Sequence, residues 1–215
     1  MEHDFTVARG RLIDELEARG ITDRRVLEAI RTVPREAFVP PDLRARAYDN
    51  HALPIEEGQS ISQPLMVALM TQALTLNGTE TVLEVGTGTG YQTAILAVLC
   101  SAVVTIERLP DLARTARTRL RELGYSNVEC HVGDGSLGWP PRAPYNAILV
   151  TAGAPDVPAP LYRQLTIGGR LVIPVGDEVD QVLRIVVKHE ERPEIHDEGG
   201  CRFVRLIGDA AWPEE

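Results

Sequence analysis

TVLEVGTGTGYQTAIL at 81–96 joins a β-branched run to an apolar stretch through glycines at 86, 88 and 90. A strand that passes through a glycine-rich turn into a helix lets a ligand come close to the main chain, at the positive end of that helix. The turn alone does not name the ligand. A dinucleotide fingerprint has its third glycine where this chain has Tyr91, and Glu84 would bring a carboxylate near a pyrophosphate. An acidic residue beside exposed amides suits a phosphate-free cation with an ammonium or sulfonium, and S-adenosylmethionine carries both.

Outward from this turn the chain alternates. β-rich runs recur at 102–107 (AVVTIE), 127–132 (NVECHV), 146–150 (NAILV) and 170–175 (RLVIPV), with helical stretches at about 91–99, 110–123 and 158–165. Pro110 suits a first helical turn and Gly124 a helix stop. This order predicts the α/β class: a Rossmann-like, doubly wound, mostly parallel sheet with helices on both faces. QVLRIVVKH at 181–189 and CRFVRLIG at 201–208 follow with no helix between them, and so predict a C-terminal antiparallel hairpin at one end of the sheet.

Towards the N-terminus the texture turns helical. Phe5, Leu12 and Leu16 recur at helical spacing before Gly20, and Val26, Leu27, Ile30 and Val33 do so before Pro34, with Thr22 as the cap. Residues 35–63 are broken by Pro40, Pro41, Pro54 and Gly58, about 29 residues of mostly irregular chain, which in a compact protein points to function. An apolar helix then spans Pro64 to Leu76. The expected organisation is one domain over 1–215: a helical N-terminal extension with its loop at 1–78, and a sheet core with the hairpin at 79–215.

Composition narrows the function class. Lys plus Arg number 22 against 31 Asp plus Glu, a net charge of −9 that repels nucleic acid and anionic membranes. The cysteines at 100, 130 and 201 form no CxxC pair, so neither a zinc ribbon nor a disulfide framework is expected, and a reducing, cytoplasmic setting fits. MEHDFTVARG at the start lacks an apolar signal region, and no long apolar run predicts a membrane span. His3, His51, His131, His189 and His196 never fall at i, i+3 or i, i+4 spacing, so no metal site is expected.

Candidate ligand contacts lie at the ends of the predicted strands. Glu107 ends the second strand, 17 residues after Gly90, where nucleotide-binding α/β folds use a carboxylate to accept ribose hydroxyls. GDG at 133–135 offers Asp134 to an adenine amino group, with a plain turn as the alternative. Ser62 stands two residues before Pro64, so position alone makes it a helix N-cap. Trp139 with its two prolines reads as a packed loop, and Trp212 as either a helix anchor or a lid.

LPIEEGQSISQP at 53–64, VLEVGTGTGYQTAILA at 82–97, ILVTAGAP at 148–155 and GGRLVIPVG at 168–176 together resemble the protein-L-isoaspartate O-methyltransferase family. EAFVP at 36–40 and RFVRLIG at 202–208 extend the likeness over nearly the whole chain. The resemblance implies a class I methyltransferase that moves the methyl group of S-adenosylmethionine to the free α-carboxylate of L-isoaspartyl residues in damaged proteins and peptides. The ester closes to a succinimide that partly reopens to aspartate. It implies cofactor contacts at Ile61, Glu84, Gly86, Thr87, Gly88, Thr89, Gly90, Glu107, Arg108, Asp134, Gly135 and Thr151. It makes Ser62 the catalytic residue, and Ser62, Val204 and Arg205 the substrate contacts, with the peptide main chain laid against Val204. A carboxylate nucleophile is already ionised at neutral pH, so no general base is needed. The implied protein is a monomer without metal, nucleic-acid or membrane partners.

The chain departs from the family pattern at Arg205, where the family has proline, and at Glu56, where it has glycine; Leu65 stands where some relatives carry histidine. These departures keep open a related methyltransferase that esterifies normal aspartate of a biosynthetic peptide or a small-molecule carboxylate. A non-catalytic module that binds S-adenosylmethionine is the reading from another class.

Overall fold

A computed structural model describes residues 4–55 and 58–214, so the departure at Glu56 lies outside the described residues, as does His3. Helices α1 (Thr6–Ala18) and α2 (Arg24–Thr32) open the chain. The cap of α2 is Asp23 rather than Thr22: its carboxylate accepts the N–H groups of Arg25 at 2.8 Å and Val26 at 3.4 Å, while the Thr22 N–H goes to Gln72. The expected irregular stretch contains 3₁₀ turns at Arg35–Phe38 and Pro41–Arg46, then a short antiparallel pair, β1 (Leu53–Pro54) and β2 (Ser60–Ile61). Helix α3 runs from Pro64 to Ala73.

From there strand and helix alternate: β3 (Thr81–Val85), α4 (Tyr91–Leu99), β4 (Ala102–Glu107), α5 (Pro110–Glu122), β5 (Val128–Val132), β6 (Tyr145–Val150), α6 (Ala159–Arg163) and β7 (Leu165–Gly176). Then β8 (Gln181–Val187) and β9 (Glu194–Cys201) complete a sheet of order β5-β4-β3-β6-β7-β8-β9. Pairings from β5 to β7 are parallel, and β8 and β9 are antiparallel. Alternate residues serve opposite faces. Val82, Val103, Ala147 and Val172 pack with α1, α2, α3 and α4, whereas Leu83, Val104, Ile148 and Leu171 pack with α6 and the 206–211 turn. Both faces being covered explains why β3 is buried along nearly its whole length.

The C-terminal antiparallel hairpin is present, but the expected residues of its second strand require a correction. The partner of β8 is β9 at 194–201, and residues 202–208 form no strand of the sheet. They cross the end of the sheet instead, pairing with Gly153: its N–H donates to the Val204 carbonyl at 2.7 Å and its carbonyl accepts from Leu206 at 2.8 Å. Trp212 sits on a turn rather than a helix, its carbonyl accepting the Gly208 N–H at 2.9 Å. No helix among the described residues is long and apolar enough to cross a membrane.

Candidate active site

Strand order reverses between β3 and β6, and in open α/β sheets the crevice at the carboxyl ends of such strands holds the ligand. Thr151, just past β6, closes that point: its hydroxyl donates to the carbonyls of Val85 at 3.1 Å and Gly86 at 2.9 Å. Gly86 has φ +95° in the left-handed region, and a Cβ there would run into the Thr151 hydroxyl, so this position requires glycine twice over. Gly86, Thr87, Gly88 and Thr89 line the resulting cleft, with Ile61, Ser62, Glu107, Arg108, Gly135, Thr151, Val204 and Arg205. Twelve sequence-predicted positions thus meet in one cavity.

Glu107 is almost fully buried. One carboxylate oxygen accepts the Gly88 N–H at 2.9 Å, the other the Leu109 N–H at 3.1 Å. A carboxylate has about four lone-pair sites, so two remain for a diol in the cleft. Arg108 reaches away to Glu214 at 2.6 Å. Ile106, Leu109 and Leu112 supply an apolar wall. Their sequence signal was present: they surround Glu107 and open the amphipathic α5.

Three predicted residues do not reach the cleft wall. Gly90 turns the chain into α4 with φ +91° and backs onto Leu120. Asp134 spends its carboxylate on the turn behind Gly135, accepting from the Ser136 N–H at 2.8 Å, the Ser136 hydroxyl at 2.6 Å and the Asp209 N–H at 2.7 Å. Glu84 has no exposed surface. One of its oxygens accepts the hydroxyls of Thr93 at 2.5 Å and Thr105 at 2.6 Å, and Thr105 also meets Thr87 at 2.7 Å, while the other oxygen has no hydrogen-bond partner among the described residues. Burial pushes its pKa up to about 8, so it is mostly a neutral acid at pH 7. Glu84 therefore sits under the turn as a hydrogen-bonding post, not as a charge facing a cation.

Ser62 is not the N-cap of α3. Gln63 holds that position, without a side-chain cap bond. The Ser62 carbonyl accepts from Arg35 at 2.8 Å, and its hydroxyl makes no hydrogen bond among the described residues. Ser62 borders both the cleft and a shallower groove beside it, and Ser60, Thr151, Val204 and Arg205 are shared in the same way. His51, Met66 and Phe203 also line that groove. Arg205, on its rim, pairs with Glu178 at 3.0 Å.

Two residues that sequence reasoning missed hold this arrangement. Gln181 accepts the Phe203 N–H at 2.8 Å and donates to the Phe203 carbonyl at 3.1 Å, so its amide works as a short strand partner for the crossing segment. Arg35 holds the Ser62 carbonyl. Neither carries a local signal, because each partner lies more than twenty residues away. No group of histidine, cysteine and carboxylate residues suited to a metal ion occurs among the described residues. Burial raises the pKa of all three thiols.

A doubly wound sheet with its crevice at β3 and β6, a glycine-rich turn and a strand-end carboxylate braced to that turn defines a class I S-adenosylmethionine-dependent methyltransferase. Residues 8–211 match the family described as protein-L-isoaspartate(D-aspartate) O-methyltransferase, and the chain belongs to that family. It is 51% identical over 214 residues to a protein-L-isoaspartate O-methyltransferase of Geobacter metallireducens, covering 99% of each chain. A solved protein-L-isoaspartate O-methyltransferase superposes with a TM-score of 0.85 at 29% identity, over 94% of this chain and 67% of the other. A Plasmodium falciparum protein solved in complex with S-adenosyl-L-homocysteine shares the fold, with a TM-score of 0.81 at 24% identity, over 96% and 99% of the two chains.

Proposed function

We propose that this chain methylates the free α-carboxylate of L-isoaspartyl residues in proteins and peptides, using S-adenosylmethionine, and so starts their return through a succinimide to aspartate. One observation carries the reading: the uncommitted Ser62 hydroxyl stands where the cofactor cleft opens into the outer groove. Glu107 and the amides of Thr87 and Thr89 suit the sugar and amino-acid ends of the cofactor, which supplies an electrophilic methyl on a sulfonium.

The remaining chemistry is positioning. The Ser62 hydroxyl donates to one oxygen of the incoming carboxylate and turns the other towards the methyl. Val204 and Arg205 present extended chain along which a peptide main chain lies, and this reads backbone in preference to side chains. No proton has to be removed from an ionised carboxylate, which agrees with a cleft that holds no nucleophile and base pair. Alignment with exclusion of water lowers such a two-body barrier by at most roughly 7–11 kcal/mol.

The same reading takes residues 1–215 as one domain acting as a monomer in the cytoplasm, away from nucleic acid. The net charge of −9 and the three free thiols support it, and sedimentation equilibrium tests the monomer. The activity is tested with radiolabelled cofactor and paired peptides that differ only in aspartate or isoaspartate. Base-labile label on the isoaspartyl peptide alone is the expected result; equal labelling of both, or none, overturns the reading.

A further inference from the structure

We propose that Arg35 is a positioning residue that fixes Ser62 against the cofactor turn, an inference that rests on the role given to Ser62 above. The Arg35 side chain is completely buried and meets no carboxylate among the described residues. Its Nε donates to the Ala47 carbonyl at 2.8 Å and its Nη2 to the Ser62 carbonyl at 2.8 Å. The guanidinium lies over the Tyr91 ring, 4.7 Å from the centroid. Nη1 and the Tyr91 hydroxyl make no well-formed hydrogen bond among the described residues.

A buried cation that meets no carboxylate among the described residues is a costly way to fill space, and apolar residues of the same volume often serve stability better. What an apolar residue cannot do is grip two carbonyls from separate loops while placing a cation over an aromatic ring. Tyr91 directly follows Gly90, the last glycine of the cofactor turn, and Ser62 ends the substrate loop. Arg35 therefore connects the main chain that carries the serine to the first residue of α4. Losing that grip lets residues 60–63 settle elsewhere, and an error of about 1 Å in such a site costs about a hundredfold in rate.

The test is a double-mutant cycle between Arg35 and Ser62, read as turnover of an isoaspartyl peptide, with S-adenosylhomocysteine affinity measured by calorimetry. Arg35→Met fills the volume without the charge, and Arg35→Lys keeps the charge with a single point of contact. Each is expected to fold, to bind S-adenosylhomocysteine within about threefold of the parent, and to lose at least about tenfold in kcat. In a Ser62→Ala background neither change is expected to slow turnover further by more than about twofold, because the group it positions is gone. Multiplying effects in the double variants, cofactor affinity falling in step with kcat, or wild-type kcat in both single variants would each overturn the proposal. So would failure of both variants to fold, which would make Arg35 a scaffold residue. A parent protein that does not label the isoaspartyl peptide refutes the functional reading instead, and shows this before any variant is measured.

Discussion

Glu107 accepts the Gly88 N–H at 2.9 Å, so the carboxylate at the end of β4 and the turn after β3 are bound to each other before any ligand arrives. Two neighbouring strands thereby present one rigid surface. Preorganisation of this kind spares a ligand the cost of ordering its own site.

Replacing Glu107 with alanine releases the Gly88 and Leu109 amides and removes the acceptor proposed for the cofactor sugar. A hydrogen bond to a charged group contributes about 1.5–3 kcal/mol, so S-adenosylhomocysteine should bind roughly 10- to 100-fold more weakly by calorimetry. Unchanged affinity would show that the cofactor sugar is held elsewhere.

Ser62→Ala should fold normally. Its hydroxyl has no partner within the described chain and caps no helix, so the change in stability should stay within about 0.5 kcal/mol in urea unfolding. Turnover of an isoaspartyl peptide should fall at least about tenfold, which corresponds to a loss of about 1.4 kcal/mol of transition-state stabilisation. Near-normal turnover would remove the serine from the mechanism.

Glu84 makes a pH prediction whose sign follows from proton counting. An unfolded chain releases the Glu84 proton near the ordinary glutamate pKa of about 4.3, while the folded chain keeps it until about pH 8. Between those values the folded state binds more protons, so stability falls as pH rises through the window and levels off above it. Glu84→Gln has nothing to titrate there. The melting temperature of the parent relative to that variant should therefore drop steadily from pH 5 to about pH 8; a constant difference would mean that Glu84 is already ionised in the folded protein.

Gln181→Leu removes both amide bonds to Phe203 and loosens the groove wall. Two such bonds contribute about 1–2 kcal/mol together. The KM for an isoaspartyl peptide should rise by roughly 5- to 30-fold, and by more than the KM for the cofactor. Equal changes in both would place Gln181 in the general fold rather than at the substrate wall.

The parts of the fold legible in the sequence are those set by local pattern. The β-branched runs and the glycines at 86, 88 and 90 specify β3, its turn and α4 from neighbours a few residues apart, and Glu107 follows from its distance to that turn. The hairpin follows from the pattern, but its second strand does not lie where alternation points, because burial, not strand formation, produces alternation. Strand β9, EIHDEGGC, is exposed along nearly all its length at the sheet edge and so lacks an apolar rhythm, whereas residues 202–208 alternate because Leu206 packs under the sheet end. Glu84 and Asp134 have the composition of ligand contacts, but their surroundings are assembled from Thr93, Thr105 and Asp209, which no spacing rule connects to them. Arg35 and Gln181 were invisible for the same reason, since an arginine or glutamine that serves a distant main chain looks like any surface residue.

All seven strands are present once Cys201 has been reached, yet Val204 and Arg205 lie beyond that point. The second side of the groove is therefore supplied by chain that is not part of the sheet. A chain clipped just after Cys201 keeps every strand of that sheet and the clasp of Glu107 on Gly88, but loses Val204 and Arg205, which line both the cleft and the groove, and Leu206 from beneath the sheet end. Trimming residues 202–214 thus opens one wall of the cleft and of the groove at once, so an intact tail, more than a folded body, is the thing to verify in any preparation found inactive.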